Sequence, residues 1–495
     1  MKAVKTISYQ QRLVNPLPDI FNNKEYTIYR KTLNRIDEII TQSGADLEFA
    51  EEYLEMKQQE SSKKFSGKRE KRIIEEGVIA FRCNLVKIMT GYSFRDLSIH
   101  LADSLLLQKF CRLRVLDSTI APPSKSTLDR WSKCFSKEQV DSTILCLLKS
   151  ATGSDNPLEL KDKLNFEDIF VDSTCIKAGI HFPVDWILPK DCAYTILQAI
   201  LVIRKHGLRH RISHPKQIMS DLNALCMSMS SSTKKRGNSK TTKKVFRQLK
   251  NLVNNVKEHG ERYAVLLVER GLKETDLSKK EISYILSRLN KMIALIPLAI
   301  KQASSRILKG EYYKNKDKIL SAYHSDINVI KRGKAGGIVE FGNTLFIAEQ
   351  SDGLIVDWAL YRRDIKDPQA TNESIKRMTE EFEYEIKTCT GDRGCQSKRN
   401  DQLLKKKGIY SGLCPRNPHE YNEKLKDGKF KKLQKRRSQT EGRIGILKNT
   451  ILNGSLYERE FEGKDLKISW AILFHNLWVL ARLPKVETQI EQVAA

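Results

Sequence analysis

The chain has 495 residues, room for two or three domains of roughly 100–200 residues each. Hydrophobic residues make up 40% of it, enough for sizeable cores, which excludes wholesale disorder. Lys and Arg number 87 against 60 Asp and Glu, a formal charge of +27 and a pI near 9.5; this favours a nucleic-acid partner over an anionic membrane or a merely basic soluble protein.

In chain order, residues 1–72 form a polar and basic segment with weak helical patterning around 24–58 and a basic stretch near Lys63–Lys71. Residues 73–160 read as helical. Ile73, Val78, Phe81, Leu85 and Ile88 recur at helical spacing up to Gly91, and Ser93 is placed to cap a short helix carrying Leu97 and Leu101. After Ala121-Pro122-Pro123, Ser124 or Ser126 can cap another helix through Leu128 and Trp131. Short helices with capped turns fit a helix-turn-helix unit or an ordinary helical bundle equally well.

Residues 161–483 change character. Phe166 to Asp172 is a β-branched and aromatic run ending in an acid, the pattern of a buried strand with a carboxylate at its C-terminal end. A strongly helical and basic block occupies about 195–322, with Ser228–Thr233 as a break inside it. Strand patterns return at 338–348 and 354–361 around the Ser351-Asp352-Gly353 turn, and a helix is expected at 369–383. A strand from Tyr384 to Thr390 leads into Gly391-Asp392, followed by a helix near 396–407, a strand near Ile409–Leu413 and a long basic helix over 429–451. Residues 484–495 are a tail. The order predicts an α/β domain with a mixed sheet and a helical insertion after its first strand.

The ten cysteines (83, 111, 134, 146, 175, 192, 226, 389, 395 and 414) include no CxxC, so neither a zinc ribbon nor a disulfide framework is expected. Free thiols in a reducing cytosol are the expectation. No signal-peptide pattern follows Met1, and no apolar run approaches the ~18 residues of a membrane span.

Two of the expected strands end in Asp, and α/β folds place ligands at such edges. Asp172 and Asp392 would then lie on adjacent strands, and Glu441 is the single acid among the many Lys and Arg of 429–448. Hard divalent ions take oxygen ligands of this kind, and two of them about 3.5–4 Å apart can activate a nucleophile and stabilise a leaving oxygen. At about 100° per residue, Arg437, Glu441 and Lys448 share one helical face, beside an apolar stripe of Ile444, Leu447 and Ile451. Gly442 and Gly445 weaken the helix and are expected where a backbone or ligand approaches closely. The plain alternatives are strand-end caps for the aspartates and an i,i+4 pair with Arg437 for Glu441.

Arg437, three residues, Glu441, six residues, Lys448 resembles the R-(3)-E-(6)-K signature of bacterial insertion-sequence DDE transposases. Val171-Asp-Ser-Thr174 resembles their first-acid motif, and Thr390-Gly-Asp-Arg-Gly-Cys-Gln-Ser397 with Asn400 resembles their second. Lys331-Arg-Gly-Lys334 leading into Val339-Glu-Phe-Gly342, the closing Phe474-His-Asn-Leu477 and the helical segment 78–135 are also similar to such enzymes. The resemblance implies an RNase H-like core and two Mg²⁺ or Mn²⁺ ions held by Asp172, Asp392 and Glu441. It implies cleavage at the ends of a mobile element and joining of the freed 3′-OH to target DNA. Arg437 and Lys448 would contact terminal phosphates, with Arg393, Lys334 and Arg443 as further DNA contacts. The implied partners are double-stranded DNA and further copies of the chain assembled on it, in the cytoplasm of a prokaryote, without a membrane. The sequence departs from the pattern at Gln434, where many relatives carry Tyr, at Cys395, often Tyr, and in the position of its insertion. An RNase H-like nuclease without strand transfer and an inactive, transposase-derived DNA-binding protein are the alternatives.

Other groups compete. His206, His210 and His214 have helical spacing for a metal; Cys389, Cys395, Cys414 and His419 offer a Cys₃His set; Asp326 is a reserve first acid; Trp186 and Trp358 are candidates for base stacking. Incidental thiols, a solvated acid and core packing of the rings are their plain readings.

Overall fold

The computed structural model describes residues 17–62, 64–113, 120–212, 214–234, 239–311, 313–334 and 337–486. It is a mixed α/β protein that divides into two compact units. The first contains Met1–Lys177, Asn343–Leu456 and Phe461–Ala495, and the second Ala178–Gly342 and Tyr457–Glu460.

In the first unit, α1 (Lys24–Ser43) and α2 (Ala45–Gln59) meet at Gly44, whose φ of 71° puts it in the left-handed region that glycine tolerates. The weak helical patterning read there hides two amphipathic helices that bury Leu33, Ile36, Ile39, Ile40 and Phe49. Helices α3 (Gly67–Thr90), α4 (Phe94–Asp103), α5 (Leu105–Phe110), α6 (Lys125–Trp131) and α7 (Lys137–Thr152) follow. Ser93 and Ser124 cap α4 and α6 by accepting from the N–H groups of Asp96 and Thr127, satisfying otherwise orphaned donors. Arg82 is fully buried among these helices, held by Asp46 and Asp37 at 2.7 and 2.6 Å and donating to the Phe110 carbonyl.

β1 (Asp168–Ala178) opens the sheet. Four helices then come before the next strand: α8 (Ile187–Lys205), α9 (Pro215–Lys234), α10 (Ser239–Glu274) and α11 (Lys279–Ser304). The chain continues as β2 (Asn328–Lys334), β3 (Gly337–Gln350), β4 (Ile355–Leu360) and α12 (Asp367–Lys376). After β5 (Thr388–Gly391), α13 (Lys398–Lys406), β6 (Tyr410–Leu413) and α14 (Pro418–Lys424) comes α15 (Gly428–Gly445), which runs on as a π-helical turn over Ile446–Ile451. β7 (Ser455–Leu456) and α16 (Phe461–Leu480) close the fold.

Among the described residues the sheet has seven strands, in the order β2-β3-β1-β5-β6, with β4 also on β3 and β7 on β1. β1, β5 and β6 are parallel neighbours, whereas β2 and β4 pair antiparallel with different stretches of β3. β2 was not expected as a strand, because its Lys and Arg residues carry no alternating apolar pattern. The expected strand from Tyr384 is shorter, because Phe382 and Tyr384 instead pack beside each other, the latter also on Phe166.

α16 is apolar nearly all round and sits at the centre of the first unit's core. Its Trp470 ring lies 5.6 Å from Phe49, 5.7 Å from Phe81 and 6.1 Å from Phe135. Residues of the N-terminal helices and of the sheet therefore belong to one buried cluster.

The second unit has its own core, built on Ile196, Ile200, Phe246, Val253, Tyr263, Leu289 and Ile296. A capping box between Ser278 and Glu281 starts α11. Among the described residues, Lys279–Lys309 is the one helical stretch long and apolar enough to cross a membrane by length and composition. Ile282, Leu289, Met292, Ile296 and Ala299 nevertheless fill the core of this unit.

Candidate active site

The parallel ladder between β1 and β5 ends where Val171 faces Gly391, so the next residue on each strand is an aspartate: Asp172 and Asp392. β1 itself does not stop at Asp172, as the sequence pattern led one to expect; it continues to Ala178, with β7 as a further neighbour. The end of the ladder, rather than of the strand, sets Asp172 beside Asp392. Gly391 is required there, since a Cβ on it would come within 2.9 Å of Val171 and 3.0 Å of both Cys395 and Leu413.

Burial raises the Asp172 carboxyl to about 6, and the neighbouring Asp392 charge adds to the rise. Arg437 and the Ser173 N–H oppose it, while Glu441 contributes a smaller upward push. Asp392 and Glu441 are thus both within electrostatic reach of Asp172. Asp392 also accepts from the Cys395 N–H at 3.1 Å, which closes the turn after β5.

A fourth carboxylate belongs to the cluster. Asp367, in the first turn of α12, accepts a 2.6 Å hydrogen bond from the Ser173 hydroxyl. A Cβ on Gly394 would stand 2.6 Å from its Oδ2 and 2.9 Å from Oδ1 of Asp392, so glycine lets the two acids face one gap. Asn400 fixes this arrangement by donating to the carbonyls of both Pro368 and Cys395 at 2.9 Å, which ties the loop after β5 to the start of α12. Asp367 is not among the acids that the sequence pattern singles out.

α15 carries Glu441 over this edge and is anchored by its arginines. Arg436 and Arg443 both reach the fully buried Glu349 of β3, at 2.7 and 2.9 Å. Arg443 also lies across Gly353, where a Cβ would fall 1.9 Å from its guanidinium carbon, and donates to the Asp352 carbonyl. Gln434 donates to the carbonyls of Gly412 at 2.7 Å and Gly391 at 3.3 Å, filling the ends of β5 and β6. Gly442 and Gly445 meet nothing within 4 Å, so the close approach expected of them is absent: the arginines and Leu447 make the dock, and the glycines face away.

Glu441 is paired with Arg437 at 2.8 Å and remains 56% exposed. Lys448 sits in the π turn Ile446–Ile451, past the end of the regular α-helix on which its shared face with Glu441 was expected. Arg393 is exposed, with its guanidinium over the Tyr421 ring at 5.4 Å. The side chain of Lys334 lies outside the described residues.

The donor set suits a hard divalent ion, since every candidate ligand is a carboxylate oxygen. Burial raises the Asp172 carboxyl most; a cation between the two acids would offset the part that the Asp392 charge adds. Among the described residues, however, no three His, Cys, Asp or Glu side chains converge closely enough to hold a metal. Asp172 and Asp392 are the residues that would hold such an ion, while Glu441 is paired with Arg437.

The competing groups do not assemble. α8 ends at Lys205 and α9 begins at Pro215, so His206, His210 and His214 are not on one helix; His206 pairs with Asp276 instead. Cys389, Cys395 and Cys414 are free and buried, and burial raises the Cys395 thiol well above its usual range. Trp186 and Trp358 are partly buried against the two cores. Asp326 belongs to the second unit. Comparison of the chain with protein-family models, with curated proteins and with solved structures found no match.

Proposed function

We propose that this chain is a DDE-type transposase that cleaves the ends of a mobile DNA element and joins the freed 3′-OH to target DNA. The observation that carries the reading is the pairing of Asp172 with Asp392 at the end of a parallel ladder, with Glu441 on a basic helix within electrostatic reach. The strand order β4-β3-β1-β5-β6, with a helix between β5 and β6, supports an RNase H-like core.

Asp172 and Asp392 would hold Mg²⁺ or Mn²⁺, with Glu441 joining them once Arg437 turns to a DNA phosphate. Bound there, the ions supply Lewis-acid activation of the attacking and leaving oxygens. The chain's own part is to keep the two aspartates side by side and to place Arg437 where a phosphate can exchange for Glu441. Lys448 and Arg393 extend the cationic surface for the backbone, whereas Arg443 is committed to Glu349.

A second reading draws on the Arg437–Glu441 pair: a transposase-derived protein that binds DNA without cutting it. Incubation with Mg²⁺ and the DNA ends that flank its gene separates the readings. Joined products support transposition, cleavage alone a nuclease, and binding unaffected by Asp392→Asn with no cleavage would overturn both enzymatic readings.

A further inference from the structure

We infer that the first turns of α10, in the helical block after β1, form a grip for the phosphate backbone of duplex DNA; the inference rests on the reading of the chain as a DNA-processing protein. No acid occurs between Asp221 and Glu258. Within that stretch Lys240, Lys243, Lys244 and Arg247 recur at i, i+3, i+4 and i+7, which puts them on one helical stripe. The opposite face of α10 is the buried one, carrying Phe246, Leu249, Val253 and Val256.

The same helix supplies its own comparison. Further along, Lys257 pairs with Glu261, Arg262 with Glu258 and Arg270 with Glu274. Lys240, Lys243, Lys244 and Arg247 have no ion-pair partner among the described residues. Their placement is unfavourable for folding in two ways. Cations near a helix N-terminus oppose the helix dipole, and like charges at i and i+4 (Lys240 with Lys244, Lys243 with Arg247) repel. An anionic partner removes both penalties.

The shape of the surface selects the partner. The apolar side of α10 is inside the core, so the stripe offers nothing to insert into a bilayer. Lys240 to Arg247 spans about 10 Å of a rigid helix. Duplex DNA presents a charge about every 1.7 Å of its axis, so a stripe of this length can meet several phosphates without reading sequence.

The test is binding of the full-length chain to a duplex of arbitrary sequence in EDTA, followed by fluorescence anisotropy across a range of KCl concentrations. In the K240A/K243A/K244A/R247A variant, affinity falls and the slope of log K against log[salt] flattens by about 3.6, near 0.9 for each lost phosphate contact. K257A/R262A/R270A, which removes cations already paired with acids, leaves the slope near that of the parent. Thermal melting checks the fold, and the stripe variant melts no lower than the parent because repulsion has been removed. An unchanged slope in the stripe variant overturns the inference. So does polyglutamate that competes as well as DNA at equal charge, which would mark an acidic protein as the partner. Because no metal is present, DNA grip without cleavage in a separate Mg²⁺ assay defeats the transposase reading alone. Normal cleavage with an unchanged slope defeats this inference alone.

Discussion

The Arg437 guanidinium meets the Glu441 carboxylate at 2.8 Å, one helical turn away, while both residues act electrostatically on Asp172. The cation that opposes the rise in the Asp172 carboxyl is thus the one that holds Glu441. Removing it with Arg437→Ala frees Glu441 to turn toward Asp172 and Asp392. Mn²⁺ binding, measured by titration calorimetry, should tighten about twofold, the worth of an exposed i,i+4 pair. DNA affinity should fall in the same variant. Unchanged Mn²⁺ affinity would separate Glu441 from the metal site.

Gly394 keeps Asp367 and Asp392 facing one gap. In Gly394→Ala the new methyl would stand 2.6 Å from Asp367 and 2.9 Å from Asp392, so the carboxylates must part. Metal-dependent cleavage should drop at least tenfold while the melting temperature moves by only a few degrees. Asp367→Asn keeps an acceptor for the Ser173 hydroxyl and removes the charge; a milder loss of cleavage than in Gly394→Ala is expected. Equal activity in all three proteins would remove Asp367 from the site.

Glu349 is the single buried carboxylate that holds both Arg436 and Arg443 against the sheet. Glu349→Ala strands two guanidinium groups against a low-dielectric edge, and the cost should be about 3 kcal/mol by denaturant unfolding. Glu349→Gln, which keeps an acceptor, should lose less. A loss below the error of the measurement in both variants would mean that α15 is docked by its apolar contacts alone.

His475 is buried on α16, with Nε2 3.1 Å from the Gly353 carbonyl, and burial lowers its pKa to about 4. Its folded-state pKa is thus below its ordinary value near 6.5, so the unfolded chain binds the proton first as pH falls. The neutral ring's contribution is fully present above about 6.5 and is lost progressively between about 6.5 and 4. Melting temperatures of parent and His475→Gln should converge as pH falls through that window. Parallel curves would place the acid sensitivity elsewhere.

Several parts of this architecture are legible in the residues. The run Phe166–Asp172, the Ser351-Asp352-Gly353 turn and the caps Ser93 and Ser124 announce themselves through local chemistry, and local chemistry is where the structure puts them. The extension of β1 to Ala178 does not, because Ser173 and Thr174 interrupt an apolar pattern that only sheet pairing restores. β2 is hidden by its charges. Asp367 escaped notice because its partners, Ser173 and the gap at Gly394, are far off in sequence. The Phe474-His-Asn-Leu477 segment stood out as a motif, but its work is visible only in three dimensions. Asn476 donates to the Ile355 carbonyl and accepts from its N–H, both at 2.9 Å, replacing a neighbouring strand at the edge of β4. The π turn after Gly445 is the clearest failure of periodicity, since it takes Lys448 out of the regular α-helix by a geometry no residue pattern marks.

Among the described residues, the helical block between β1 and β2 has a core of its own, built from residues between Leu188 and Ala322. Its surface can therefore drift, gaining or shedding positive charge, without disturbing the spacing of Asp172 and Asp392. Under the proposed function, such an arrangement would let a lineage retune how firmly it holds DNA while the aspartate site stays fixed, so divergence should accumulate faster in the block than around the aspartates.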